Sequence, residues 1–164
     1  MQAVTESLNF EALDACHQQI QAHLIALEAL IRHIEAHGVD AGARAQAADI
    51  EAFFSSTSRA HHAEEEKNVF PPLLEGGDAD LAKVVRSLQQ DHGWIEENWL
   101  ELAPQLRSIA SGNNWVDAAE FQHYAEVFLE LCNGHIALEE SLIYPESKAR
   151  LALAIASRRT TGLR

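Results

Sequence analysis

Apolar residues recur along this chain at intervals of three and four. Near its start, one such stripe passes through His17, Ile20, Leu24, Leu27, Ile31 and Ile34. Because this spacing keeps side chains on one face of an α-helix, it predicts a long amphipathic helix with His17 on its buried face. No stretch of useful length alternates apolar and polar residues as a strand would.

Glycine, proline and capping residues divide the chain into further helices of the same kind. Gly38 ends the first helix, Asp40 suits the N-cap of the second, and Pro145 is expected to stop the fourth. The sequence therefore predicts an all-α fold, an up-down four-helix bundle with a short C-terminal fifth helix. The predicted helices cover about residues 7–36, 40–69 (before Pro71-Pro72), 78–110 and 114–144, and the fifth covers about 146–158.

The length and composition fit a single domain over residues 1–164, with the bundle over about 7–145 and a C-terminal helix and tail over 146–164. The formal net charge of -13 argues against a nucleic-acid partner and against docking to an anionic membrane. No apolar run approaches the ~20 residues of a membrane span. The first residues lack the features of a signal peptide, and two cysteines make no disulfide scaffold, so we expect a cytoplasmic protein.

The second half of the chain repeats the first. A shift of 75 residues places the first helix on the third, so that His17 falls on His92, and a shift of 74 places the second helix on the fourth. In that second pair the equivalent positions carry identical or similar residues. They are, in order, Phe54 and Phe128, His61 and His135, Glu65 and Glu139, Glu66 and Glu140, Val69 and Ile143, Phe70 and Tyr144, and Pro71 and Pro145. Two helix hairpins related by a pseudo-twofold axis would bring equivalent residues together across one core.

Histidines and glutamates occupy the buried stripes of all four helices. The second stripe passes through Ile50, Phe54, Thr57, His61 and Glu65, and the fourth through Tyr124, Phe128, Leu131, His135, Glu139 and Leu142. Each His–Glu pair is spaced i, i+4, which places both side chains on one face about one turn apart. With His17 and His92, four imidazoles and two carboxylates are predicted to meet in one core.

Such a group of polar side chains needs compensation, because a buried carboxylate without a partner is very costly. A pair of metal cations would supply it. Imidazole and carboxylate ligands suit iron and manganese, and facing helices of a bundle build dinuclear sites in this way. The alternative is a metal-free acidic helical module for protein interaction, with the carboxyl groups protonated.

Two segments, HHAEEEKNVFPPL and HIALEESLIYPES, each follow a helix that carries histidine in CHQQI or DHGWI. Over about residues 10–147 this arrangement resembles the hemerythrin family in its HHE cation-binding form. The resemblance implies an up-down four-helix bundle that holds a non-haem di-iron centre. By position, it implies that His17 and His61 bind one iron, that His92 and His135 bind the other, and that Glu65 and Glu139 bridge them.

The chain departs from the oxygen-carrying hemerythrins at two places. Their fifth histidine, one turn after the ligand of the third helix, is here Glu96, either an additional ligand or a solvated side chain. Their last helix spaces histidine and aspartate by five, whereas His135 and Glu139 are spaced by four. Additional carboxylate favours oxidised metal and weakens the case for a reversible oxygen carrier. His62, about 100° around the helix from His61, is expected to pack or support rather than bind.

The resemblance implies two iron ions, with manganese or zinc as alternatives, and a small diatomic or peroxide ligand such as dioxygen or nitric oxide. Sensing, storage or stress protection would follow, which makes the chain a ligand-binding protein rather than an enzyme. A carboxylate-rich di-iron oxidase or peroxidase is the alternative enzymatic function. The sequence leaves the oligomeric state open.

Overall fold

The computed structural model describes residues 9–113 and 116–161, which form helices joined by short connections. The helices are α1 (Phe10–His37), α2 (Ala41–Ser55), α3 (Thr57–Glu64), α4 (Phe70–Glu75), α5 (Ala79–Ala110), α6 (Ala118–Leu138) and α7 (Tyr144–Thr161). One turn of π-helix over Glu65–Val69 joins α3 to α4, and another over Glu139–Ile143 joins α6 to α7. No strand occurs in the described ranges, so the predicted all-α class is confirmed.

These helices form four rods. The first rod is α1, the second runs from α2 to α4, the third is α5, and the fourth runs from α6 to α7. Helix α1 packs against α2, α2 against α5, α5 against α6, and α6 against α1, which closes a helical bundle around one core. None of the described helices is long and apolar enough to cross a membrane.

The ends of the rods follow local backbone chemistry. Gly38, with φ 73°, ends α1, and the Asp40 carboxylate caps α2 by accepting a hydrogen bond from the Ala43 N–H at 2.9 Å. The predicted helix starts at about residues 7 and 114 lie outside the described residues. Helix α1 begins after Asn9, and α6 begins after the N-cap Asp117.

The predicted stops before Pro71-Pro72 and at Pro145 are wrong, because both rods continue through these prolines. In the π-turns the N–H of Phe70 bonds the Glu65 carbonyl and that of Tyr144 bonds the Glu139 carbonyl, five residues back. The wider turn accommodates a proline that would break regular α-helical bonding. Residues 146–158 therefore belong to α7, which directly continues α6, and they form no separate fifth helix among the described residues.

The π-turn over Glu139–Ile143 also shifts the buried stripe by one residue. Ile143 is fully buried, whereas Leu142, predicted to lie on the core face, is 47% exposed. On the second rod Ser58 is buried in place of the predicted Thr57, close to the break at Ser56 that separates α2 from α3. Simple helical periodicity fails at these points because the rods are not continuous α-helices.

The core consists of two apolar clusters with a polar layer between them. On α1, His17 lies between Leu13 of the smaller cluster and Ile20 of the larger one, and the same order holds around His92 on α5. The larger cluster includes Leu24, Phe54, Trp99 and Phe128, and the smaller one includes Phe10, Phe70, Leu88 and Ile143. The polar side chains are therefore enclosed by packed apolar residues above and below.

Candidate metal centre

Histidine and glutamate side chains from all four rods converge in this polar layer. Two groups have ligand atoms that lie within 4.8 Å of one another. One group is His17, His61 and Glu65, and the other is His62, Glu65, His92 and His135. Glu65 belongs to both groups, which makes the arrangement a pair of adjoining candidate sites.

Glu65 faces a histidine of each group. Its Oε1 lies 3.0 Å from Nε2 of His61, one turn earlier on the same rod, and 3.8 Å from Nε2 of His92 on α5. A carboxylate placed between two groups of imidazoles is suited to bridge two metal ions.

Glu139 takes the equivalent place in the second half of the chain. Its Oε1 lies 2.7 Å from Nε2 of His135 and 3.8 Å from Nε2 of His17. Each carboxylate thus approaches one histidine of its own rod closely and one histidine of another rod at a longer distance, as the repeat predicts.

Both carboxylates are fully buried and lack hydrogen bonds. Glu65 and Glu139 are 0% exposed, and none of their four oxygens has a hydrogen-bond partner among the described residues, since the short contacts to histidine lack hydrogen-bond geometry. Burial raises the pKa of the Glu65 carboxyl to about 8. Because unpartnered buried carboxylates are so unfavourable, the donor set fits a cationic group placed between them.

The histidines are oriented by carboxylates outside the layer. His92 Nδ1 donates to Glu66 Oε1 at 2.8 Å, and His17 Nδ1 donates to Glu140 Oε1 at 3.3 Å. Glu66 and Glu140 are repeat equivalents. A carboxylate on one ring nitrogen fixes the tautomer and leaves the Nε2 lone pair directed inward, which is the arrangement of metal-binding histidines.

Burial keeps the imidazoles neutral. Desolvation, reinforced by the neighbouring His61, lowers the pKa of His17 to about 4, and desolvation alone lowers that of His61 equally far. The pKa values of His62 and His135 are lowered further by the same burial and by their histidine neighbours. At neutral pH these rings therefore offer lone pairs rather than positive charge.

This geometry agrees with the family to which the sequence is similar. The family model of the hemerythrin HHE cation binding domain matches residues 8–147. The chain belongs to this family. It is also 29% identical over 133 residues to an uncharacterized protein of Haemophilus influenzae, an alignment that covers 80% of this chain and 74% of the relative. Domains of the hemerythrin family bind metal cations, typically iron, and small ligands, which makes this chain a metal-binding protein.

Within this HHE domain, the structure brings His62 into the cluster, although we expected it to pack or support. Its ring stacks on His92 with centroids 4.2 Å apart, and it belongs to the same candidate group as His92 and His135. The sequence did contain a signal, because His62 and Glu65 are spaced i, i+3 and so share a helix face.

The structure does not bring Glu96 to the other predicted ligands. Its carboxylate forms a two-pronged ion pair with Arg59 of α3, with Arg59 Nε 3.1 Å from Glu96 Oε2, and the side chain is 44% exposed. Glu96 does follow His92 by one helical turn, as predicted. The guanidinium on the neighbouring rod, which helical spacing cannot reveal, holds it at the surface.

Tyr144, which the sequence marks only as the repeat equivalent of Phe70, adds a phenol group. Its hydroxyl oxygen lies 3.1 Å from His17 Nε2 and 3.3 Å from His61 Nε2, and its ring stacks on His17 at 4.7 Å. Burial, followed by the charge of Glu65, raises the pKa of this phenol. The hydroxyl therefore occupies the polar layer itself.

Proposed function

We propose that this HHE domain holds two iron ions and binds dioxygen or a related small ligand, such as nitric oxide or peroxide, for sensing, storage or stress protection. The observation that carries the proposal is the pair of buried carboxylates, Glu65 and Glu139. Each lacks a hydrogen-bond partner among the described residues, and each faces histidines of both halves of the chain.

The proposed ligands divide between two ions according to distance and repeat symmetry. His17 and His61 would hold one ion, His92 and His135 the other, and the two carboxylates would contact both. His62 joins the second set, and Glu96 is left out because Arg59 neutralises it at the surface. Manganese or zinc in place of iron are outcomes that metal analysis distinguishes.

The surroundings of the polar layer favour a small ligand. A narrow cavity lies between the proposed ligand side chains and an apolar wall that includes Ile20, Ile95 and Ile136. It has room for little more than a water-sized molecule, which excludes a larger organic substrate. Bound iron would supply Lewis acidity and redox chemistry, while these isoleucines would keep bulk water away from it.

Two further features belong to this proposal. The short connections between α1 and α2 and between α4 and α5 favour an up-down order of the four rods, within one domain over residues 1–164. A cytoplasmic location stays a prediction from the sequence.

The enzymatic alternative, a carboxylate-rich oxidase, depended on Glu96 as an additional ligand, and the ion pair with Arg59 removes that support.

Metal analysis after iron-supplemented growth tests the proposal. Wild-type protein is expected to contain two irons per chain, and His61→Ala and His135→Ala are each expected to lose metal. His123→Ala, an exposed histidine on the same helix as His135, is the matched control and should retain it. Fewer than two metals per chain in the wild type, with both ligand variants unchanged, would refute the di-iron centre.

Mixing the reduced protein with oxygen tests the functional class. A stable adduct that reverses when oxygen is removed supports ligand binding. Immediate irreversible oxidation with release of a product would instead favour the oxidase, and the proposed binding function would be wrong.

A further inference from the structure

The hydroxyl of Tyr144 touches the same atoms of His17 and His61 that face the candidate site. Both contacts are made to Nε2, at 3.1 and 3.3 Å, although Nδ1 of His17 is directed outward to Glu140. Tyr144 is 2% exposed, so its phenol is almost entirely buried among the side chains of the polar layer. A phenol oxygen in contact with both nitrogens lies on the side of the rings where a metal ion would be held.

These distances match those between ligand atoms that share one ion. Nitrogen and oxygen ligands about 2.0–2.2 Å from a first-row metal lie about 3.0–3.4 Å from one another, depending on the coordination geometry. The same spacing occurs between His61 Nε2 and Glu65 Oε1, at 3.0 Å. The Tyr144 oxygen therefore lies about as far from the two histidine nitrogens as Glu65 Oε1, an atom of a proposed ligand, lies from His61 Nε2.

The repeat shows that this feature belongs to only one of the two sites. The residue equivalent to Tyr144 is Phe70, which stacks near His92 with centroids 5.6 Å apart and carries no oxygen. Conversely, His62 of the second group is matched in the other half by Ile136, an apolar residue. The two sites therefore share carboxylates and histidines but differ in their third type of donor.

We propose that the phenol oxygen of Tyr144 is a further ligand of the ion that His17 and His61 hold, so that the two ion sites are chemically different. This inference rests on the proposed function. On binding, the O–H bond breaks, the proton leaves to the solvent, and the oxygen donates its electron pair to the ion, with nothing oxidised or reduced. A hard, anionic oxygen donor of this kind favours ferric over ferrous iron at this site.

A ferric ion bound to a phenolate gives a visible charge-transfer band, and Raman excitation within that band enhances vibrations of the tyrosine ring. The experiment loads the full-length protein with iron, oxidises it, and records both spectra. Because Tyr124 and Tyr144 are the chain's two tyrosines, two variants assign the signal. We expect ring vibrations in the wild type and in Tyr124→Phe, and their complete loss in Tyr144→Phe.

The Tyr144→Phe variant carries the same residue as the equivalent position 70 of the other repeat. We expect this variant to keep two irons per chain, because the other proposed ligands persist. Wild-type protein grown with ring-deuterated tyrosine provides a test independent of any variant, since the enhanced bands must then shift. Two irons per chain without tyrosine vibrations would overturn this inference and leave the di-iron proposal standing. A failure to bind iron at all would overturn both.

Discussion

Glu66 accepts a hydrogen bond from His92 Nδ1 at 2.8 Å, and this contact fixes which nitrogen of the ring faces the polar layer. Glu66 lies outside the cluster and is 38% exposed, so we expect it to orient His92 rather than to bind metal. Glu140 makes the equivalent contact with His17, at the longer distance of 3.3 Å.

Removing this orienting group should weaken metal binding without removing a ligand. We expect Glu66→Ala to lower metal affinity by about 10–100-fold, the range typical of lost outer-shell carboxylates. Competition with a chelator of known affinity measures the change. Glu64→Ala is the matched control, because Glu64 lies on the same rod and bonds Asn68. Equal affinities of the two variants would show that Glu66 does not orient His92.

Replacing His62 by the residue of the other repeat should affect one ion more than the other. His62→Ile copies Ile136, and we expect the second ion to bind at least about tenfold more weakly, because its group loses an imidazole. Stepwise titration with zinc, which has no redox chemistry, resolves the two binding events. Unchanged binding of both ions would return His62 to a packing role.

Glu96 should be dispensable for metal binding, since its carboxylate already pairs with Arg59. We expect Glu96→Gln to retain its full metal content and to change the free energy of unfolding by under about 1 kcal/mol, as is usual for exposed ion pairs. Glu139→Gln, measured in parallel, should lose metal. A loss of metal in Glu96→Gln would restore Glu96 to the ligand set.

Glu65 should destabilise the metal-free protein and stabilise the metal-bound one. The pKa of its carboxyl is about 8 in the folded state and 4.5 for the ordinary group. Between these two pH values the folded state binds more protons than the unfolded state. The contribution of Glu65 to the free energy of unfolding therefore becomes more unfavourable as pH rises from 4.5 to 8. With chelator at pH 7 we expect the free energy of unfolding of Glu65→Met to exceed that of the wild type by about 2 kcal/mol, which makes the variant the more stable protein.

Urea unfolding at two pH values checks this expectation. The advantage of Glu65→Met should shrink toward pH 4.5, where the wild-type carboxyl is protonated in the folded state and also half protonated in the unfolded state. With iron present the order should reverse, because metal binding stabilises only the wild type. A variant that is less stable than wild type in chelator at pH 7 would contradict the argument.

Metal binding should release the Glu65 proton. Below pH 8 this carboxyl is protonated in the metal-free protein, whereas His17 and His61, with pKa values of about 4, are already neutral. Zinc affinity should therefore rise with pH up to about 8. Calorimetry in buffers of different ionisation enthalpy should show about one more proton released at pH 6.5 than at pH 9. Equal release at both values would be evidence against the raised pKa.

The fold class and the family follow from particular features of the sequence. Apolar spacing of three and four residues predicts the helices, and the paired His–Glu segments indicate the hemerythrin family. The stop predicted at Pro145 was wrong, because the π-turn at Glu139–Ile143 lets the rod continue through this proline. The same turn buries Ile143 in place of the predicted Leu142.

The sequence alone determined that imidazoles and carboxylates lie on helix faces, because that depends only on spacing within one element. The tertiary structure decided which of them meet. Arg59 on one rod holds Glu96 at the surface, whereas packing of the rods brings the Tyr144 hydroxyl to His17. Contacts between rods depend on register and on the side chains that each neighbour contributes, and a pattern read within one helix contains neither.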